Sequence, residues 1–298
     1  KMRDNFVKGL DFTQSYILKL GIICLGIQLK PFEFLEFGAV AIPLIIICIA
    51  TVLIVIKLLI KKLKIPTRMA YLISIGSTVC GTTAIMATAP VIGAKKNEVS
   101  YAIANITLFG ILSMLIYPYF ANYYFDAEPM FVGLFLGTSI HETSQVAAAG
   151  LIYDQQFNSP ETLNIATVTK LIRNTFLVIM IPLFAFLYNR NNVVKKDYSI
   201  LAIFPYFVLG FVAMIILRNI GDQFFLNTYN NLWLEAVDTI KSSSKIFLTM
   251  AMAAIGLSTN LKDLKSMGYK PFLVGFIGMT TVGLVSILSI EFYINFLN

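Results

Sequence analysis

Apolar runs of about twenty residues recur along the chain, separated by short polar stretches. A helix needs about 20 such residues to cross a hydrocarbon core of about 30 Å. The pattern predicts spanning helices over 14–29, 39–60, 100–120, 164–188, 200–218, 240–258 and 271–297. The helix over 240–258 is entered from an amphipathic run, NNLWLEAVDTIKSSSK. Two further apolar segments, 69–94 and 130–152, are interrupted by Gly, Pro and polar residues and are predicted to be broken helices. Strands of about ten residues with alternating polarity, the mark of a membrane β-barrel, are absent. The predicted fold is an all-α polytopic membrane helical bundle with two discontinuous or re-entrant segments.

Composition agrees. Of 298 residues, 57% are hydrophobic and 13% charged, against about 25% charged in soluble domains. The whole chain, 1–298, reads as a single transmembrane unit. Its net charge of +7 is concentrated in stretches such as KLLIKKLKIPTR and NRNNVVKK. These read as cytoplasmic loops rather than a nucleic-acid surface. All the basic loops fall on one side whether 69–94 and 130–152 both cross or both re-enter. Re-entry also puts Lys95 and Lys96 inside and the acidic YYFDAEP outside, so charge counting favours re-entrant or deeply broken segments. Cys24, Cys48 and Cys80 show no metal-type spacing and imply no disulfide framework. The chain opens on Lys without a visible signal peptide, so its natural start, with a helix or two, is expected to lie upstream.

An internal repeat adds an architecture. LGIQLKPFEFLEFG and IGLSTNLKDLKSMG each hold two Gly twelve residues apart, Gly26 and Gly38 in one, Gly256 and Gly268 in the other. Each precedes a long apolar helix, and the helices ending in them run in opposite directions. Inverted repeats with broken helices at mid-depth characterise secondary transporters.

The broken segments carry the candidate chemistry. In SIGSTVCGTTAIMATAPVIG, the residues Thr78, Gly81, Thr82 and Thr83 fall where a helix is interrupted. Freed backbone groups must be buried in protein or line a wet cavity, and a helix restarting there aims N–H groups at anions. Close helix packing is the alternative use of such small residues. GTSIHETSQVAAAG contains the only histidine, His141, beside Glu142, with Ser139 and Gln145 nearby. If this stretch is helical, His141 and Gln145 share a face, as do Glu142 and Gln145. Ionisable groups at membrane depth point to function; an interhelical hydrogen-bond network is the alternative. In ATVTKLIRNTFL, Lys170, Arg173 and Asn174 precede only 13 apolar residues, Phe176 to Tyr188. That is about 20 Å of helix, so these cations are expected below headgroup level, beside Glu142 or a bound anion. No P-loop, dinucleotide fingerprint, nucleophile elbow or His-rich metal site is present, so no enzyme activity is expected.

STVCGTTAIMATAPVIGAKKNEVSYAIANITLFGILSMLIYPY, GLFLGTSIHETSQVAAAG, ATVTKLIRNTFL and AAIGLSTNLKDLKSMG, in this order, resemble the sulfate exporter family, the YeiH-like bacterial inner-membrane proteins. More distantly, the two broken segments are similar to those of the bile-acid/sodium symporters. The resemblance implies a core domain moving against a scaffold in elevator fashion, in the bacterial inner membrane. It makes a small anion, sulfate or a sulfonate, the expected substrate. Thr78, Gly81, Thr82, Thr83, Ser139 and Gln145 are the candidate donors. Lys170 and Arg173 would neutralise the anion or pair with Glu142. His141 and Glu142 are the candidates for proton coupling, since histidine titrates near neutral pH. No cofactor beyond a coupling ion, H⁺ or Na⁺, is expected. The lipid bilayer and a second copy of the chain, in a homodimer, are the other expected partners. A sodium-coupled organic-anion symporter, and a passive anion pore or regulatory membrane protein, are the alternative functions.

Overall fold

The computed structural model describes residues 2–29, 31–63, 66–189, 206–225, 230–258 and 269–297, and every regular element among them is helical. A first helix runs from Met2 to Gln28. It comprises α1 (Met2–Phe12), a π-helical turn (Thr13–Ile17), α2 (Leu18–Leu25) and a 3₁₀ turn (Gly26–Gln28). There follow α3 (Pro31–Leu63), α4 (Thr67–Thr78), α5 (Gly81–Thr88), α6 (Lys96–Tyr124), α7 (Pro129–Ser139), α8 (Thr143–Phe157), α9 (Pro160–Thr175) and α10 (Leu177–Asn189). The last are α11 (Phe207–Phe225), α12 (Asn230–Ser258) and α13 (Tyr269–Leu297). Among the described residues, six spans are long and apolar enough to cross a membrane. Large apolar side chains such as Ile54, Leu58, Phe186 and Leu288 point outward, more than half exposed, as a lipid-facing surface requires.

Several boundaries differ from expectation. The first helix begins at Met2 rather than near 14, α3 at Pro31 rather than near 39, α12 at Asn230 rather than near 240 and outside the six apolar spans, and the helix expected over 200–218 runs over Phe207–Phe225. The last of these continues past Arg218 because Arg218 and Asp222 pair one turn apart at 2.9 Å. Trp233 Nε1 also donates to Asp222 at 2.8 Å. The α12 helix is long but polar, and two of its polar side chains fasten it to neighbouring helices. Ser244 donates to the Gly21 carbonyl at 2.7 Å, and Lys245 pairs with Asp154 at 2.7 Å. The basic run at 190–197 and residues 259–268 of the second repeat arm lie outside the described residues.

Both interrupted segments fold back on themselves. A Cβ on Gly76 of α4 would lie 2.9 Å from the Ile85 side chain of α5. In a continuous helix these residues would stand about 13 Å apart, so α4 and α5 form a hairpin with its tip at Val79–Cys80. The second hairpin is read from its packing on α9. Gly133 and Gly137 of α7 lie against Ile165 and Thr169, a parallel register, so close that a Cβ at either would clash. Gly150 of α8 packs on Leu163, and Thr143 accepts from Asn174, an antiparallel register. Hence α7 and α8 are antiparallel, with the tip at Ile140–Glu142.

The hairpins enter from opposite ends. The start of α4 lies by the end of α10, where Arg68 donates to the Tyr188 hydroxyl at 2.9 Å. The start of α7 lies by the start of α9, where Thr162 donates to the Pro129 carbonyl at 3.4 Å. At the α4 end, Ile56, Ala70, Ala102 and Val274 share one apolar cluster. This gathers the ends of helices bearing Lys57, Lys62, Arg68, Lys95 and Lys270. The opposite end carries Glu36, Glu128, Glu161 and Asp238, with Arg218 and Lys241, around a cavity of about 700 Å³. By the positive-inside rule the basic end is expected to face the cytoplasm. Both tips lie beside Lys170, ten residues into α9. At 1.5 Å per residue that is about 15 Å from its outer end, halfway through a core of about 30 Å.

Candidate functional site

At the tips, four half-helix ends converge. The C-termini of α4 and α7 present carbonyls left without intrahelical partners, which must be satisfied when buried. Two fully buried cations of α9 supply the donors. Lys170 Nζ donates to Val79 O at 3.0 Å, Ile140 O at 2.9 Å and His141 O at 2.5 Å. Three carbonyl acceptors require three N–H donors, which only the ammonium form has. Arg173 Nε donates to Thr78 O at 2.9 Å and Nη2 to Ser77 O at 2.8 Å. Its Nη1 donates to Thr138 O at 2.5 Å and Ile140 O at 3.4 Å. The partial negative charge of two helix C-termini thus meets two fixed positive charges, and one side-chain pair ties both hairpins to α9.

The N-termini of α5 and α8 face the other way, onto a cavity of about 290 Å³. Thr82 and Thr83 from α5, Thr143 and Ser144 from α8, Cys80, Glu142 and Asn174 line it. The opposite wall is Ser15, Leu18, Lys19 and Ile22 of the first helix. Glu142 accepts a hydrogen bond from the Thr82 amide at 3.2 Å and another from the Thr82 hydroxyl. Cys80 Sγ lies 3.6 Å from the Thr143 hydroxyl. Asn174 donates to that hydroxyl at 2.9 Å, and its own Oδ1 is buried without a hydrogen-bond partner among the described residues. Gly81 makes the tip possible. Its φ is +52°, and a Cβ there would lie 2.3 Å from Glu142 Cγ.

The expected site residues divide accordingly. Thr82, Thr83 and Glu142 line the cavity, and Gly81 shapes its rim. Thr78 and Ser139 turn their hydroxyls back onto carbonyls one turn earlier, Ser74 and Phe135, and contribute no donor to the cavity. Gln145 is inserted against Gly110 of α6, where it donates to Thr107 O at 3.3 Å. Lys170 and Arg173 meet carbonyls instead of the cavity, and Lys170 is not ion-paired with Glu142, which Thr82 holds. The shared helical face of His141 with Gln145 does not form, because α8 starts only at Thr143. His141 is fully buried in the tip, and neither ring nitrogen has a hydrogen-bond partner among the described residues. Sequence reasoning missed Thr143 and Ser144 as cavity residues. A helix restart placed just after Glu142 would have found them. Nothing in the sequence pointed to Ser15 and Lys19, which come from a helix more than 120 residues away.

A family model described as conserved hypothetical protein 698 matches residues 1–275. The UPF0324 membrane protein FN0533 of Fusobacterium nucleatum is 35% identical over 97% of this chain and 87% of its own length. The UPF0324 membrane protein SAG1125 of Streptococcus agalactiae is 38% identical over 92% of this chain and 79% of its own. This chain belongs to the UPF0324 membrane protein family. Its matched span, 1–275, takes in both hairpins, α9 and the first helix, so every wall of the cavity falls within the family's shared sequence. No solved structure matches this UPF0324 protein. With six apolar spans and bacterial membrane-protein relatives, it is a multi-pass protein of the bacterial plasma membrane.

Proposed function

We propose that this UPF0324 protein is a secondary active transporter of a small anion, of sulfate or sulfonate type, coupled to protons. One observation carries the reading: the N-termini of two opposed half-helices end on one mid-depth cavity. Each such end carries about half a positive charge and unpaired N–H donors. The ends of the four half-helices cancel in pairs, about −1 from the C-termini and +1 from the N-termini. Lys19 in the wall, with Lys170 and Arg173 behind the tips, outweighs Glu142, leaving a net charge of about +2 beside the cavity. Hydroxyls of Thr82, Thr83, Thr143 and Ser144 add donors suited to oxyanion oxygens. A volume of about 290 Å³ favours a small substrate.

Glu142 supplies the coupling. Its ionised carboxylate occupies the α5 N-terminus, where a substrate oxyanion would bind. Protonation removes the competing charge and weakens its hold on Thr82. His141, buried in the same tip, is the second candidate proton carrier. Alternating access would move the hairpins and α9 against the first helix, α11 and α12. The outer cavity of about 700 Å³ is the entry on the opposite side. No catalytic step is assigned to the site. The bilayer and a second copy of the chain complete the partners of this reading.

Currents and radiolabel exchange in proteoliposomes test it, with sulfate, sulfite, taurine and a carboxylate panel, with and without Na⁺ and a pH step. A saturable signal for one anion that follows the proton gradient supports the proposal. Strict sodium dependence favours a sodium-coupled organic-anion symporter instead. Flux without saturable counterflow indicates a passive pore, and silence in both assays overturns transport.

A further inference from the structure

The cage around Lys170 has a second meaning. Its ammonium sits among three carbonyl oxygens contributed by both hairpin tips, Val79 from one and Ile140 and His141 from the other, at 2.5–3.0 Å. Its hydrogen-bond partners among the described residues are these three backbone oxygens, and the side chain is fully buried. An inward ring of carbonyls at the C-terminal ends of broken membrane helices is the geometry that binds a bare alkali cation. We infer that Lys170 is a tethered cation filling an alkali-ion cage, so that the two hairpins are held together by a built-in charge where a freely exchanging ion would otherwise be needed.

Without a cation the three carbonyls would face one another across a dry space, unpaired and with converging dipoles. A monovalent cation can relieve this by exchange with solution, which makes assembly of the tips depend on ion concentration. A lysine relieves it permanently. Arg173, on the next turn, holds four further contacts to the same two tips and anchors the cage when position 170 changes. For the transporter proposed above, and resting on that reading, the consequence is that no alkali ion is required at this place during the cycle. The driving ion must then act elsewhere, at Glu142.

The test is Lys170→Ala, which empties the cage and leaves its oxygens, with Lys170→Met as the variant that refills it with an apolar chain. Thermal unfolding of the purified proteins is followed in choline chloride while Li⁺, Na⁺ or K⁺ replaces choline at constant ionic strength. Lys170→Ala should gain a saturable rise in melting temperature of about 3 °C or more with one of these ions. Lys170→Met and the unsubstituted protein should show none. A folded Lys170→Ala protein indifferent to all three ions overturns the inference. So does a saturable sodium or potassium effect on the unsubstituted protein, a measurement that stands even if the alanine variant fails to fold. Because the readout is melting and not flux, the cage can stand or fall independently of anion transport. In flux assays, Lys170→Ala should regain activity only with the stabilising ion.

Discussion

Glu142 reaches from the tip of one hairpin to the first turn of the other, where its carboxylate accepts from the amide and the hydroxyl of Thr82. The two hairpins come from opposite ends of the bundle, so this contact closes the mid-depth cavity with a negative charge at the place best suited to an anion. A carboxylate belonging to the protein there is a competitor for substrate, and its charge is the quantity that a proton can change.

Replacing Glu142 with Gln should keep both Thr82 contacts within reach while removing the charge. The expected protein is folded and of near-normal melting temperature, but its anion flux no longer responds to a pH gradient. Uptake across a pH step, compared with equilibrium exchange at fixed pH, measures the difference. Normal flux with unchanged pH dependence would remove Glu142 from the coupling role.

Gly81→Ala tests the tip. At φ +52° a side chain costs about 1–3 kcal/mol, and the added carbon would collide with Glu142. The variant should melt lower and lose anion binding more than a packing defect elsewhere of equal cost. Differential scanning of stability alongside substrate-induced stabilisation reports both.

Arg173→Ala leaves Ser77, Thr78 and Thr138 carbonyls buried without their donor. Loss of one side of such a buried charged network costs about 3–5 kcal/mol, enough to abolish a monodisperse peak in detergent. Arg173→Lys retains the charge but not the fork that spans both hairpins, so it should fold with intermediate stability. Equal behaviour of the two variants would contradict the fastening role.

Cys80 offers a view of the cavity from chemistry. Though itself largely buried, it lines the cavity wall, whereas Cys48 lies in the apolar core away from it. In a background with Cys24 and Cys48 replaced by Ser, a small thiol reagent should modify Cys80. A transported anion should slow that modification. Labelling unaffected by every anion that carries flux would place the substrate elsewhere.

The length and hydropathy of the apolar runs were enough to read a multi-pass helical bundle, because a bilayer demands about 20 apolar residues per crossing whatever packs around them. Gly81 and the Thr-rich stretch after it, and the polar SIHETSQ, were equally visible as breaks, since glycine and hydrogen-bonding side chains interrupt a membrane helix only where something satisfies the freed backbone.

Other features belong to the tertiary structure alone. A two-residue interruption such as Val79–Cys80 is equally compatible with a kink and with a full reversal; packing of Ile85 on Gly76 decides for reversal. The sequence shows Lys170 and Arg173 as two cations at membrane depth. Whether they face an anion or a ring of carbonyls depends on which helix ends are brought to them, through contacts some 30 to 100 residues away in the chain. Ser15 and Lys19 become cavity residues only because the first helix packs across from the tips. Local sequence sets what each segment must bury or satisfy, and long-range packing chooses the partner that does it.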